Sequence, residues 1–86
     1  MIFIKQAKYI NCHIIECLFS DNQKYFIDLK DYQNRNGLFA ELRDIEYFKK
    51  FRLDEELGTI VWENGLDISP QRLYELATGI KPNWAV

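Results

Sequence analysis

The chain has 86 residues, 48% of them hydrophobic and 15% aromatic, with a formal net charge of -2 and a sequence pI near 5.3. This length makes one domain, its aromatic content excludes a disordered chain, and 11 Lys and Arg against 13 Asp and Glu argue against a surface built to neutralise phosphates. No stretch approaches the roughly 18 apolar residues of a membrane span, and Lys5 comes too early for a signal peptide, so a cytoplasmic protein is expected.

Ile2 to Tyr9 reads as a first strand, with Ile2 and Ile4 alternating with Phe3 and Lys5. Cys12 to Phe19 reads as a second, carrying Ile15, Cys17 and Phe19 on one face and Cys12, Ile14 and Leu18 on the other. Two apolar faces predict a central strand or one covered on both sides. Five strand steps would hold Cys12 and Cys17 roughly 16 Å apart, beyond the ~7 Å a disulfide tolerates. Reduced, buried thiols are therefore expected, as suits the cytosol.

Ser20-Asp21-Asn22-Gln23 breaks the pattern with residues that tolerate the positive φ of a tight hairpin. Lys24 to Leu29 follows as a third strand, Tyr25, Ile27 and Leu29 inward and Lys24 and Asp28 outward. Asp31 to Gly37 is polar and reads as loop. Gly37 to Leu42 reads as a short helical turn with Leu38, Phe39 and Leu42 inward, and Asp44 as the N-cap of a second short helix over Ile45 to Lys50, with Ile45 and Phe48 buried.

Phe51 to Asp54 and Thr59 to Glu63 read as a second hairpin around Glu55-Glu56-Leu57-Gly58. Ser69 then caps a helix with Pro70 at its first position, Leu73, Leu76 and Ala77 form its apolar stripe, and Gly79 ends it. The expected fold is α+β: a small, mostly antiparallel sheet of four or five strands built from two hairpins. Short helices separate the hairpins, and the C-terminal helix packs on one face. Residues 1–79 form the domain and 80–86 a tail, in which Trp84 is more readily explained by docking on its own domain than on a partner.

Chemistry is scarce in these residues. His13 would share a strand face with Cys17 roughly 13 Å away, too far for one metal ion or a nucleophile pair, and reads as a partly exposed strand residue. No Cys-x-x-Cys or His-x-x-x-His spacing occurs. The four glycines are scattered at loops, turns and a cap rather than gathered into a phosphate loop. Glu63 and Asp67 flank Asn64-Gly65 and offer a carboxylate pair, although such a pair would need a concave cleft. Asp67 has a competing local role, accepting backbone N–H bonds in the loop before Ser69. The negatives collect instead: Asp54, Glu55, Glu56, Glu63 and Asp67 face Arg52 alone.

The run Gly58-Thr59-Ile60-Val61-Trp62-Glu63-Asn64-Gly65-Leu66-Asp67-Ile68-Ser69-Pro70, leading into Leu73-Tyr74-Glu75, resembles the ending of a bacterial family known as domain of unknown function 2442. Phe26-Ile27-Asp28-Leu29 resembles that family's second hairpin strand, and Leu38 to Asp44 with Phe48 its middle helical segment. Its signature falls on Trp62, Asn64, Gly65, Asp67, Pro70, Leu73 and Tyr74, positions read as mainly structural. The chain departs from the family where Asn22 replaces a frequent Gly and Ile45 a frequent Pro. The resemblance implies a small α+β domain without an established activity, encoded beside another small gene in a pair that suggests a toxin and antitoxin. Some longer relatives add a helix-turn-helix domain for which this chain leaves no room.

The combined expectation is a non-enzymatic protein-interaction module in the bacterial cytoplasm, the antitoxin-like or regulatory half of a two-gene pair. Asp54, Glu55, Glu56, Glu63, Asp67 and Trp84 are its candidate interaction surface. No catalytic residue, cofactor or metal is expected, nor a nucleic-acid or membrane partner. A protein partner is expected, from the adjacent gene, and an uncovered strand edge leaves self-association open. The rival readings are a nucleic-acid-associated regulator and a minimal enzyme using Glu63 and Asp67.

Overall fold

Period-two alternation of apolar and polar residues builds the first half of the chain. In the computed structural model, which describes residues 2–34 and 37–79, β1 (Ile4–Asn11), β2 (Ile14–Phe19) and β3 (Lys24–Asp28) form an antiparallel meander in the order β1-β2-β3. The central strand is β2. Its odd face, Ile15, Cys17 and Phe19, is fully buried, whereas Ile14, Glu16 and Leu18 on its other face are half-exposed. One face is therefore covered, not both.

The first strand runs two residues later at each end than the alternation predicts, because it continues through Asn11 into a tight Cys12-His13 turn. Cys12 takes φ 48° there. Neither Cys12 nor His13 is a strand residue, so the strand-spacing arguments built on them lose their premise. Both cysteines are nonetheless free, Cys12 exposed and Cys17 buried.

The turn between β2 and β3 follows the expected chemistry. Asn22 adopts φ 69°, its N–H donates to the Phe19 carbonyl at 2.9 Å, and Phe19 N–H donates to the Gln23 carbonyl at 3.0 Å. This is a three-residue loop with its left-handed residue last.

Residues 30–34, read as loop, form a 3₁₀ helix (Lys30–Asn34). Tyr32 anchors it: the side chain is buried, its ring lies 5.3 Å from that of Phe39, and its hydroxyl accepts from Arg72 Nε at 3.0 Å. A polar stretch looks like loop in sequence, but its one large amphipathic aromatic ties it to the core. A second 3₁₀ helix (Gly37–Arg43) buries Leu42. Asp44 then caps α1 (Ile45–Phe48), its side chain accepting from Glu46 N–H.

The remaining strands, β4 (Arg52–Asp54) and β5 (Thr59–Val61), pair antiparallel as a separate sheet. The five antiparallel strands are thus divided between two sheets. Thr59, Ile60, Val61 and Trp62 are all buried, so β5 is covered on both faces, whereas Arg52 on β4 is exposed. In the C-terminal helix α2 (Pro70–Thr78), the Ser69 side chain accepts from Arg72 N–H and Gly79 closes the end at φ 72°. Leu73 is fully buried, but Leu76, expected in the apolar stripe, is 37% exposed. No helix of the described residues is long and apolar enough to cross a membrane.

Candidate functional site

The β4–β5 turn is built by Asp54. Its Oδ1 accepts from Glu56 N–H at 2.9 Å and Leu57 N–H at 3.0 Å, and its backbone carbonyl accepts from Gly58 N–H at 2.8 Å. The Asp54 carboxylate, 3.8 Å from Arg52 Nη1, thus holds the turn and is half-buried. Glu55 and Glu56, by contrast, are exposed at its tip.

The tip is also joined to the start of β1. Ile4 N–H donates to the Gly58 carbonyl at 2.8 Å. Gly58 sits at φ 67°, and a Cβ placed on it would lie 2.8 Å from Phe3 Cβ. Only a residue without a side chain permits that approach. The two elements together present Phe3, 48% exposed, and Leu57, 55% exposed. A shallow depression of about 380 Å³ is lined by both, together with Ile2, Glu55, Glu56 and Gln71. Neither Ile2 nor Phe3 is predicted here from sequence; their alternation signals a strand, and nothing local says what the strand abuts.

The other members of the acidic group lie elsewhere. Glu63 lines a hollow with Lys50 and Arg52, whereas Asp67 lines a different one with Tyr32, Phe39 and Arg72. The two carboxylates weighed as a minimal catalytic pair thus line different hollows. Trp84 lies outside the described residues.

Signature residues carry the framework. Trp62 is buried and its Nε1 donates to the Phe48 carbonyl at 2.8 Å. Residues 62–66 repeat the three-residue loop of the first sheet. Gly65 at φ 90° donates its N–H to the Trp62 carbonyl at 3.0 Å, and Trp62 N–H donates to the Leu66 carbonyl at 2.8 Å. Asn64 Oδ1 accepts from Leu66 N–H at 2.9 Å, so the loop-bonding role expected of Asp67 is performed by Asn64. Asp67 is exposed, and it bridges Val61 through its backbone. Pro70 is buried at the helix start. Tyr74 lies between Phe19 and Tyr25, at 5.3 and 6.0 Å, with its hydroxyl donating to Asp21 Oδ2.

His13 is buried rather than partly exposed: its Nε2 is 2.6 Å from the Leu42 carbonyl and its ring 4.7 Å from that of Phe48. It fastens the β1–β2 turn to the second 3₁₀ helix. No group of three His, Cys, Asp or Glu side chains among the described residues could hold a metal ion. The thiols differ sharply. Burial, assisted by the Glu16 carboxylate, pushes Cys17 up to about 12, whereas Cys12 is open to solvent. Since the thiolate is the nucleophile, a thiol-specific reagent at mildly alkaline pH is expected to label Cys12 promptly in the folded protein. Cys17 should react only after denaturant is added, and prompt labelling of both would contradict the packing.

The outer face of the three-stranded sheet carries a wider hollow of about 520 Å³, lined by Lys5, Lys8 and Lys24 with Glu16 and Leu18. Lys5 and Lys8 belong to β1 and Lys24 to β3, and strand register brings them to one hollow across β2. Lys5 Nζ donates to Asn22 Oδ1 at 2.9 Å.

In comparison with known proteins, residues 4–79 match the family described as protein of unknown function (DUF2442). No curated protein and no solved structure matches the chain.

Proposed function

From a chain that belongs to the DUF2442 family of proteins of unknown function, we propose a non-enzymatic protein-interaction module acting through the β4–β5 hairpin tip. Its role is the antitoxin-like or regulatory half of a two-gene pair in the bacterial cytoplasm. The observation that carries the reading is the tip itself: Phe3 and Leu57 stand exposed beside the carboxylates of Glu55 and Glu56 around one depression. Apolar anchors with a charged rim are the anatomy of a protein interface. The charge sign fits a partner with a basic rim around an apolar centre. The turn is held by its own hydrogen bonds, so little ordering entropy is lost on docking. The separate placement of Glu63 and Asp67 favours contact over catalysis.

The partner proposed is the product of the adjacent gene. Co-expression should yield a co-purifying complex. The double substitution Glu55→Lys, Leu57→Lys should weaken it at least about tenfold through lost apolar burial and reversed charge. Both positions are exposed, so stability should move by no more than about 0.5 kcal/mol. No complex, or a complex indifferent to the substitutions, would refute the reading. The Lys5, Lys8 and Lys24 hollow favours a second reading, a nucleic-acid-associated regulator, which requires binding at low salt that falls steeply as salt rises.

A further inference from the structure

We propose that two copies of this chain pair through the open edge of β3, as antiparallel strands about a twofold axis at Phe26. This surface is separate from the hairpin tip and does not rest on the function proposed for it. The edge position follows from the strand order β1-β2-β3. The backbone phase follows from the ends of the β2–β3 ladder: Phe19 N–H donates to the Gln23 carbonyl and Leu29 N–H to the His13 carbonyl, in register with Cys17↔Tyr25 and Ile15↔Ile27. Odd-numbered residues of β3 therefore turn their peptide groups toward β2. Lys24, Phe26 and Asp28 turn their N–H and C=O groups outward, and these groups have no backbone partner among the described residues.

A twofold at Phe26 uses all three positions. Phe26 faces Phe26 of the second copy, and Lys24 faces Asp28 of the second copy at both ends. Each is a pair that exchanges both of its peptide hydrogen bonds. The side chains agree with the backbone. Lys24, Phe26 and Asp28 share the exposed face of β3, with Phe26 65% exposed, so the pairing sets opposite charges against each other on either side of an aromatic pair. Slipping by two residues in either direction keeps the peptide phase but places a charge opposite Phe26, which makes the register self-selecting. The other edge is unsuited: β1 has irregularities between Ile4 and Gln6 and between Tyr9 and Asn11, and such bulges blunt edge pairing.

Sedimentation equilibrium of the full chain tests this. The expected result is a reversible monomer–dimer equilibrium that weakens with salt. Lys24→Glu alone and Asp28→Lys alone should each raise the dissociation constant at least about tenfold, since like charges then oppose at both ends. The double exchange Lys24→Glu, Asp28→Lys should restore it to within about threefold, because complementarity returns. Asp28 Oδ1 also accepts from Lys30 N–H, so thermal melts of each variant separate lost folding from lost pairing. Phe26→Cys in a Cys12→Ser background should form a crosslinked dimer, the paired α-carbons lying at about 5.5 Å, within disulfide range. A chain that stays monomeric at millimolar concentration would overturn the proposal. So would a dimer that ignores the single exchanges, does not recover in the double, or fails to crosslink at position 26.

Discussion

Trp62→Ala is expected to cost about 3–5 kcal/mol of folding stability, which approaches the whole stability of about 4–13 kcal/mol that a chain of this size commands. Trp62 joins the two sheets. Its ring centroid lies 5.9 Å from that of Phe48 and 6.1 Å from that of Phe51, and Phe48 in turn meets His13 and Tyr9. The second hairpin, α1 and the β1–β2 turn thus share one aromatic cluster. Truncation would open a cavity at their junction and leave the Phe48 carbonyl without its indole donor. Trp62→Phe separates the two effects: it keeps most of the apolar volume and loses the hydrogen bond. It should therefore cost about 1–3 kcal/mol, the penalty of an unsatisfied buried carbonyl plus a small void. Thermal and denaturant unfolding give both numbers. For a domain of this length the alanine variant should melt at least about 15 °C lower. A loss near 1 kcal/mol would mean that the sheets are held together by something other than this indole.

Trp62 also shows how far the sequence could be read. Its strand, its turn and the capped helix after it are legible because each is a local event: alternation, a left-handed Gly65, a Ser69-Pro70 start. The three strands of the first sheet are legible on the same terms. What was hidden depends on register between distant segments. Ile60 and Val61 alternate along the strand, yet both are buried, and nothing in their neighbourhood says that the backbone of Asp67 will bridge Val61. His13 looks like a strand residue because its neighbours are strand residues; its partner, the Leu42 carbonyl, is 29 positions away. The acidic group was legible as composition but not as a site. The fold assigns Asp54 to the turn, sends Glu63 and Asp67 to separate hollows, and supplies Phe3 and Leu57 as apolar company for Glu55 and Glu56.

Gly58→Ala is expected to damage both stability and the proposed interface, and it does so for a reason the other glycines do not share. At φ 67° any L-residue pays about 1–2 kcal/mol for left-handed backbone. That much applies equally to Gly79 at φ 72°. At Gly79 a new Cβ meets nothing within 4 Å, whereas at Gly58 it meets Phe3 Cβ at 2.8 Å. The obstruction is the root of a side chain next to backbone, not a flexible end, so β1 itself must move. The movement would strain the Ile4 N–H bond to the Gly58 carbonyl. Overpacking of this kind adds about 1–3 kcal/mol, which puts Gly58→Ala about 2–5 kcal/mol below the native chain and Gly79→Ala about 1–2 kcal/mol below. Denaturant unfolding of the two variants side by side measures the difference, and amide exchange at Ile4 should accelerate in the first alone. If the tip is the contact surface, displacing Phe3 also weakens partner binding under conditions where the variant stays folded, while Gly79→Ala binds normally. Equal losses in the two variants would show that β1 is not seated on the hairpin tip, and the surface formed by Phe3, Leu57 and the two glutamates would lose its physical basis.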